Sequence, residues 1–455
     1  MDSGFITKWR SLCVVTLWII DLPTSSFSQV APKESAQEVS KCIDSNSLSL
    51  DPERIKLSGY VDFGYSYNFT GASGGATDYS KVNGRILTDT AQRGDFNLYA
   101  VKFALEKELT SENRFQAGFR FDILIGEDAA FFANRSGGSL NNTDSNSNSL
   151  FTEQAFTTFR IPVGNGLDLK FGKTEAFLGL EGMDRPTNPC VTFGLLFNVM
   201  PIWFIGMVSN YTFDPLLEAT FCIVNGINTD NNVTSSSGSS DGVGFGGGLV
   251  VTAPGGNANW KNYLFYGTSL FSNSHISSNN TSHFTSQATI PPEGEASGFP
   301  ILYNSNGSWA PLCFENRLYF GVNALLGNVQ GSISLPGVNG VLNDCWYGAG
   351  LYAKYYFNDF FSLQGRGEFL GSNTAGIFGN QGTAFSSSPT GHLTGNNIWE
   401  STLTANFNLT ADCLIRAEYR MDWGSNIYST KTGNHNGSVS GGPAYYAGAE
   451  VVYSF

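Results

Sequence analysis

The most constraining feature of this chain is a strict alternation of charged and apolar residues. Residues 414–423 show it most clearly. One set of alternate positions holds Arg416, Glu418, Arg420 and Asp422, and the other holds Ile415, Ala417, Tyr419, Met421 and Trp423. Successive side chains of a β-strand point to opposite faces, so this stretch predicts a strand with one charged face and one apolar face. The charged face is too polar for a dry core, and the apolar face is too aromatic for a surface in water. The pattern therefore predicts a wall between lipid and water.

The same alternation recurs at 54–69 and at 114–123, where Arg120 and Asp122 fall on the charged face. The chain holds 53 Gly, 36 Phe and 19 Tyr, but only 14% of its residues are charged. A soluble β-sandwich or β-helix also alternates, but neither needs an apolar exterior. The sequence therefore predicts an all-β protein, a transmembrane antiparallel β-barrel.

The connections between these stretches alternate in length. The short ones are Thr110–Asn113, Pro162–Gly166, Asp214–Pro215, Ala253–Ala258, Asn358–Asp359 and Thr410–Asp412. The long polar ones are Thr70–Ala91, Glu127–Asn148, Ala176–Met200, Asn228–Ser240, Asn273–Cys313, Ser372–Asn396 and Gly424–Gly442. This predicts short periplasmic turns, long external loops and about sixteen strands, within a range of roughly 14–18. The strands Phe314–Leu326 and Asp344–Phe357 would both run toward the periplasm. The count therefore needs one strand between them that runs in the opposite direction, and Val329–Leu335 fits.

The beginning of the chain resembles an export signal. Lys8 and Arg10 precede the apolar run Leu12–Ile20, which is too short to span a bilayer, and small residues precede Gln29. A buried strand or an uncleaved anchor is the alternative, but the apolar run closes early. The predicted organisation is a signal peptide (1–28), a periplasmic N-terminal extension (29–53) and an outer-membrane barrel (54–455). The expected location is the outer membrane of a bacterial cell.

Charge and residue spacing exclude several function classes. The net charge is −13, so the chain lacks the basic footprint of a nucleic-acid-binding protein. No two cysteines have the spacing of a metal site, and the histidines lie far from them, which predicts neither metal nor other cofactor. The four histidines fall in long loops without a strand Ser or Asp partner, which argues against an enzyme.

The loop 176–200 is far more apolar than the other long loops. Facing bulk water it would be an exposed apolar patch, whereas folding into the barrel would bury it. Glu181, Asp184 and Arg185 would then face the lumen at its narrowest point. Wall charges on the lumen side would provide the other side of a transverse field that sets ion selectivity. These predicted lumen-facing charges are Arg120, Asp122, Arg160, Lys170, Arg416, Glu418 and Arg420.

The last strand alternates up to the aromatic residue Phe455. A final strand with an aromatic end resembles the assembly signal of outer-membrane barrels. Phe455 is therefore expected to be recognised by the barrel-assembly machinery.

The stretch Phe151–Phe213 carries a family resemblance. A strand ending in Gly-Lys leads through a Gly-x-Glu loop to a Pro-x4-Gly-x4-Tyr strand. The residues concerned are Gly172, Lys173, Gly179 or Gly182, Glu181, Asn188, Pro201, Gly206 and Tyr211. The pattern resembles the β-barrel porin family described as OmpL-like, from about Leu57 to Phe455. The resemblance implies a passive channel without catalytic residues. Cys190 and the insertion 273–313 depart from the pattern. Any selectivity that depends on the loops of the family therefore cannot be carried over to this chain.

The expected function is passive diffusion of small hydrophilic solutes or ions through a lipid-embedded pore, with 176–200 as its constriction. One alternative is a substrate-selective channel, for instance for sugars, with Tyr60 or Trp346 as part of an aromatic slide. Another is a surface adhesin or structural barrel with a blocked lumen. Trimerisation is compatible with the size class alone.

Overall fold

The structure is a computed structural model. It describes residues 48–49, 55–69, 93–133, 150–225, 243–267, 295–315, 317–335, 338–372, 396–424 and 443–455. The predicted signal peptide, nearly all of the predicted extension 29–53 and most of the long external loops lie outside these residues. Within the described residues, no helix has the length and hydropathy needed to cross a membrane.

Sixteen strands form one closed antiparallel barrel, in which each strand pairs with its neighbours in sequence and the last pairs with the first. They are β1 Ile55–Asn68, β2 Arg93–Lys107, β3 Gln116–Ile125, β4 Leu150–Ile161, β5 Leu167–Glu175, β6 Trp203–Asp214, β7 Leu217–Val224, β8 Gly244–Thr252, β9 Ala258–Tyr266, β10 Glu295–Trp309, β11 Leu318–Leu335, β12 Val338–Tyr356, β13 Phe361–Ser372, β14 Asn396–Asn408, β15 Cys413–Gly424 and β16 Ala444–Ser454. A further two-residue piece, Leu48–Ser49, pairs with Lys56 and Leu57 of β1. One helix, α1, spans Glu127–Ala133, and three short 3-10 helices cover Arg185–Thr187, Phe197–Val199 and Leu312–Phe314. The predicted fold class and strand number are confirmed.

Burial alternates along the strands as the sequence pattern requires. On β15 the side chains of Arg416, Glu418 and Arg420 are buried, while Tyr419 between them is 49% exposed on the outer surface. On β16 Glu450 and Val452 are buried, and Val451 and Tyr453 face outward. The polar residues at alternate positions thus face the interior, and the aromatic residues between them face outward, where lipid would lie.

One strand assignment was wrong although the total was right. Residues 295–309 were predicted to lie in the loop Asn273–Cys313, but they form β10, which pairs with β9 and β11. Residues 329–335 were predicted to be a separate strand, but they continue β11, which pairs with β12 along its whole length. β10 escaped notice because Asn, Ser and Gly occupy much of it, and these residues are typical of loops. Its inward Asn304 and Asn306 contribute neutral amides where other strands carry charge.

The barrel closes where β16 meets β1. The backbone N–H of Gly59 donates to the carbonyl of Phe455 (2.9 Å), and the N–H of Phe455 donates to the carbonyl of Gly59 (3.0 Å). The ring of Phe455 lies 5.9 Å from that of Phe103, centroid to centroid, and a Cβ on Gly59 would stand only 2.8 Å from it. The absence of a side chain at Gly59 therefore leaves room for the aromatic ring of Phe455.

We predict that F455A lowers the yield of assembled barrel, because the substitution removes the ring that covers Gly59 and contacts Phe103. The heat-modifiable fraction on a denaturing gel measures this. Y453A is the matched control, since Tyr453 is an outward aromatic on the same strand that pairs with Val61 of β1 through its backbone, which the substitution leaves in place. Equal assembly of the two variants would remove any special role for Phe455.

Candidate functional site

The segment 176–200 lies inside the barrel, between strands β5 and β6. The N–H of Gly179 donates to the side-chain oxygen of Asn304 on β10 (3.0 Å). Further along, the N–H of Thr192 donates to Glu418 on β15 (3.1 Å) and that of Leu196 donates to Glu368 on β13 (3.0 Å). These partners are inward-facing residues of well-separated strands, so the segment reaches the wall in several places.

A pair of glycines marks the points where the segment leaves and rejoins the wall. Gly172 of β5 pairs directly with Gly206 of β6, and both have positive φ, 134° and 156°. A Cβ at either position would come within 2.2 Å of a carbonyl oxygen on the adjacent strand. Beyond this pair the alternation of burial stops, because the consecutive residues Trp203 and Phe204 are both buried. Glycine is thus required where the two strands change course.

The apolar residues of the segment explain why it turns inward. Leu195, Leu196, Val199 and Met200 are buried in one cluster with apolar side chains of the inner wall. The wall members are Val208, Cys222, Val224, Tyr263, Phe265, Leu302, Leu325, Trp346, Leu370 and Ile398. Full burial of one such leucine contributes about 1.5–3 kcal/mol relative to leaving it exposed.

Helix α1 is a second inward element, which was not predicted from the sequence. Residues 127–133 were predicted to begin a polar external loop, but Phe131 and Phe132 are buried against the segment. The ring of Phe131 stacks on that of Phe193 at 5.5 Å, and the ring of Phe132 meets the same ring edge-on at 5.8 Å. The adjacent phenylalanines in an otherwise polar stretch were the available signal.

Glu181 is buried between the segment and the wall. Its carboxylate accepts from Arg366 on β13 (2.6 Å) and from the N–H of Gly194 (2.7 Å). Burial raises the pKa of the Glu181 carboxyl above its ordinary value, and the Arg366 guanidinium and the Gly194 amide oppose part of that rise.

Asp184 occupies a more open position, with 20% of its side chain exposed. Lys102 of β2 donates to both of its oxygens (2.7 Å each), and the hydroxyl of Tyr60 donates to one of them (3.1 Å). Burial tends to raise the pKa of Asp184, but the Lys102 ammonium outweighs it, so the pKa lies below its ordinary value. Asp184 is therefore ionised at neutral pH and bound to the wall.

Arg185 is fully buried and joins the segment to α1. Its guanidinium donates to both carboxylate oxygens of Asp128 and to the carbonyl of Val191 (2.7 Å). It also lies over the ring of Tyr99 at 4.1 Å and 3.8 Å from the carboxylate of Asp62. The three charges predicted for the constriction thus occupy different environments, and Asp184 is the one with marked exposure.

The predicted lumen charges form two groups. In the first, Arg120 donates to Asp122 (2.9 Å) and to Glu106 (3.2 Å), Arg160 forms a two-bond pair with Asp168, and Lys170 lies 5.1 Å from the ring of Phe156. The partners are wall side chains, and Arg160 also donates to the carbonyl of Thr110 in a turn.

In the second group the charges contact the segment backbone directly. Arg416 donates to the carbonyls of Asn188 (2.8 Å) and Arg185 (2.9 Å), and Arg420 donates to that of Phe193 (2.7 Å). Glu418 accepts from the N–H groups of Val191 and Thr192. Arg416 and Arg420 therefore lie against the segment, not across an open lumen from it.

The comparisons with known proteins agree with this architecture. The outer-membrane channel DcaP of Acinetobacter baumannii superposes with a TM-score of 0.56, at 12% identity over 88% of this chain and 97% of that one. An anion-selective porin from Comamonas acidovorans gives 0.52, at 11% identity over 88% and 99%. OmpT of Vibrio cholerae, in a trimer form, gives 0.50, at 10% identity over 88% and 99%. Among curated protein sequences, none matches this chain.

The model of the family described as "Putative beta-barrel porin-2, OmpL-like" matches residues 54–455. The chain belongs to this family. Its fold and family are those of an outer-membrane channel, not of an enzyme. In this porin, no group of three His, Cys, Asp or Glu within the described ranges is placed to hold a metal ion.

The aromatic residues considered for a solute slide are both covered in this porin. Tyr60 and Trp346 are each 1% exposed. Tyr60 is engaged with Asp184 through its hydroxyl, and Trp346 belongs to the apolar cluster around Leu196. Neither ring presents a face to a passing sugar.

We predict that D128N destabilises the porin by about 3 kcal/mol, because the change leaves the buried Arg185 guanidinium without its main counter-charge. Urea unfolding in detergent, followed by fluorescence, measures the difference. E112Q is the control: the Glu112–Arg114 pair is well exposed on a turn, so its loss costs roughly 1 kcal/mol or less. Equal stabilities of D128N and E112Q would contradict a structural role for the Asp128–Arg185 pair.

Proposed function

We propose that this porin lies in the outer membrane of a bacterial cell and lets small hydrophilic solutes or ions diffuse passively, with the segment 176–200 as its constriction. The observation that carries the proposal is the set of contacts from this segment to inward-facing residues of β10, β13 and β15. A barrel of sixteen strands encloses an aqueous channel unless something fills it. A segment that is hydrogen-bonded to the inner wall at several points along its length narrows that channel, and no other loop is needed for this.

Partly exposed charges of both signs support a polar passage. Arg120 and Glu106 are 27% and 25% exposed, and Asp184 on the segment is 20% exposed. Opposed charges along a narrow path favour hydrated solutes over apolar ones. On this proposal Asp184 borders the passage, whereas the buried Glu181 and Arg185 hold the segment in place without facing the passage.

The remaining expectations are part of the same proposal. Residues 1–28 would be removed on export, and 29–53 would form a periplasmic extension. Phe455 would be read by the barrel-assembly machinery, and the outward aromatics would contact outer-membrane lipid. OmpT of Vibrio cholerae has a trimer form, and a homotrimer is proposed here on the basis of that shared fold.

We predict that the purified porin gives steady ohmic current in planar lipid bilayers. Shortening the segment by removing residues 186–198 is expected to raise the single-channel conductance, since it takes protein out of the passage. Saturation of the current by a sugar would favour a substrate-selective channel. Silence in the bilayer would favour an adhesin or structural barrel and would contradict the diffusion pore.

We predict that D184N shifts the zero-current potential in a salt gradient toward anion permeation, because it removes a negative charge from the edge of the passage. E112Q removes a negative charge from an exposed turn and serves as the control. An unchanged potential in D184N would show that Asp184 does not border the path of ions.

A further inference from the structure

We propose that Arg366 of β13 is the positioning residue that holds the segment 176–200 in place, and that it acts through Glu181 and Thr192 and not through contact with solute. The inference rests on the proposed constriction, but its test does not require current through the pore. Arg366 lies at a charged alternate position of the stretch Gln364–Leu370 but is not among the lumen charges predicted from the sequence.

Arg366 is itself fixed by the neighbouring strand. Its Nε donates to one oxygen of Glu400 on β14 (2.6 Å) and its Nη2 donates to the other (3.0 Å). This two-bond pairing sets the plane of the guanidinium and is special to arginine. The pair is buried, so the wall presents the remaining N–H groups in a fixed direction.

The remaining N–H groups reach two separate parts of the segment. Nη1 donates to Glu181 (2.6 Å) and to the carbonyl of Thr192 (2.6 Å). Glu181 in turn accepts from the N–H of Gly194 (2.7 Å). One guanidinium therefore connects the first half of the segment to the second half and both of them to the wall.

The surrounding contacts leave Arg366 at the centre of this attachment. Arg420, which donates to the carbonyl of Phe193, also pairs with Glu400 at 3.1 Å. Glu368, on the same strand as Arg366, accepts from the N–H of Leu196. Loss of Arg366 would leave Glu181 and Glu400 as buried carboxylates with one counter-charge fewer, a change that favours release of the segment over retention.

Cys190 supplies a native reporter of the segment's position. Its side chain is fully buried, and the next residue, Val191, is bound to Glu418. A thiol in this position reacts with a polar reagent only when the segment moves away from the wall, so its labelling rate measures that opening.

The experiment labels the folded porin in detergent with a charged methanethiosulfonate and quantifies Cys190 by peptide mapping. R366Q is expected to label about tenfold faster than the unsubstituted protein or more, since a buried charged attachment is lost. R366K should fall between them, because an ammonium keeps the charge but cannot hold Glu400 in two bonds and reach both segment sites. Cys190 protected in a folded R366Q barrel, as in the unsubstituted protein, would overturn the proposal.

R160Q is the matched control. Arg160 also pairs with a wall carboxylate, Asp168, through two bonds, but it donates further to the carbonyl of Thr110 in a turn and not to the segment. Cys190 should remain protected in this variant, and rapid labelling there would overturn the proposal by showing general loosening of the barrel. If R366Q gives no folded barrel, E181Q decides the question, because it leaves Arg366 and Glu400 paired and removes a charge only from the segment. Faster labelling of E181Q supports the attachment, and unchanged labelling overturns it.

Conductance separates this inference from the proposed function. In a conducting porin, R366Q is expected to give a larger and noisier current than R366K. If the unsubstituted protein carries no current, the diffusion pore fails, yet the Cys190 rates still show whether Arg366 positions the segment.

Discussion

The structure depends on one requirement: an irregular segment inside a barrel must find hydrogen-bond partners for its backbone without the help of a regular strand or helix. Non-helical backbone is tolerated at membrane depth only where protein or a wet cavity satisfies it. Here charged wall side chains do so. Glu418 and Glu368 accept from N–H groups of the segment, and Arg416 and Arg420 donate to its carbonyls. The alternating charges of β15 are thus complementary to a backbone as well as to water.

Buried charges of this kind hold a position because each is paired in more than one direction. Arg416 is bound to Glu450 on the neighbouring strand and Arg420 to Asp422 on its own strand, before either reaches the segment. A lone buried guanidinium would be costly, whereas one held by a carboxylate can donate its remaining N–H groups at little further cost. The apolar cluster around Leu196 stabilises the buried segment through packing, which is not directional. Packing therefore drives the segment inward, and the charged contacts determine where it stops.

The sequence predicted the fold well because alternation repeats over the whole barrel and errors in one strand do not spread. β10 shows the limit: its inward Asn304 and Asn306 give little contrast with Ser305 and Gly307 at the alternate positions, so periodicity could not separate it from a loop. The inward course of 176–200 was predictable from its apolar composition. The partners of that segment were not, because the pairing of Glu181 with Arg366 or of Arg185 with Asp128 joins residues far apart in the chain, and periodicity gives no information about such pairs.

The same limit explains why the predicted interior charges divided into two groups. A charged parity on a barrel strand indicates an inward face, but it does not say whether water or protein covers that face. On β15 the segment 176–200 covers the inward face, so Arg416 and Arg420 are bound to carboxylates and to segment carbonyls. On β3 to β5 the charges of Arg120, Arg160 and Lys170 meet other wall groups and retain more access to the interior. Charges that keep access to the interior can act on a passing ion, so on the proposed function the group on β3 to β5 is the better candidate for selectivity. On the same proposal, the charges of β15 contribute to selectivity only indirectly, by fixing the segment 176–200 that forms the proposed constriction.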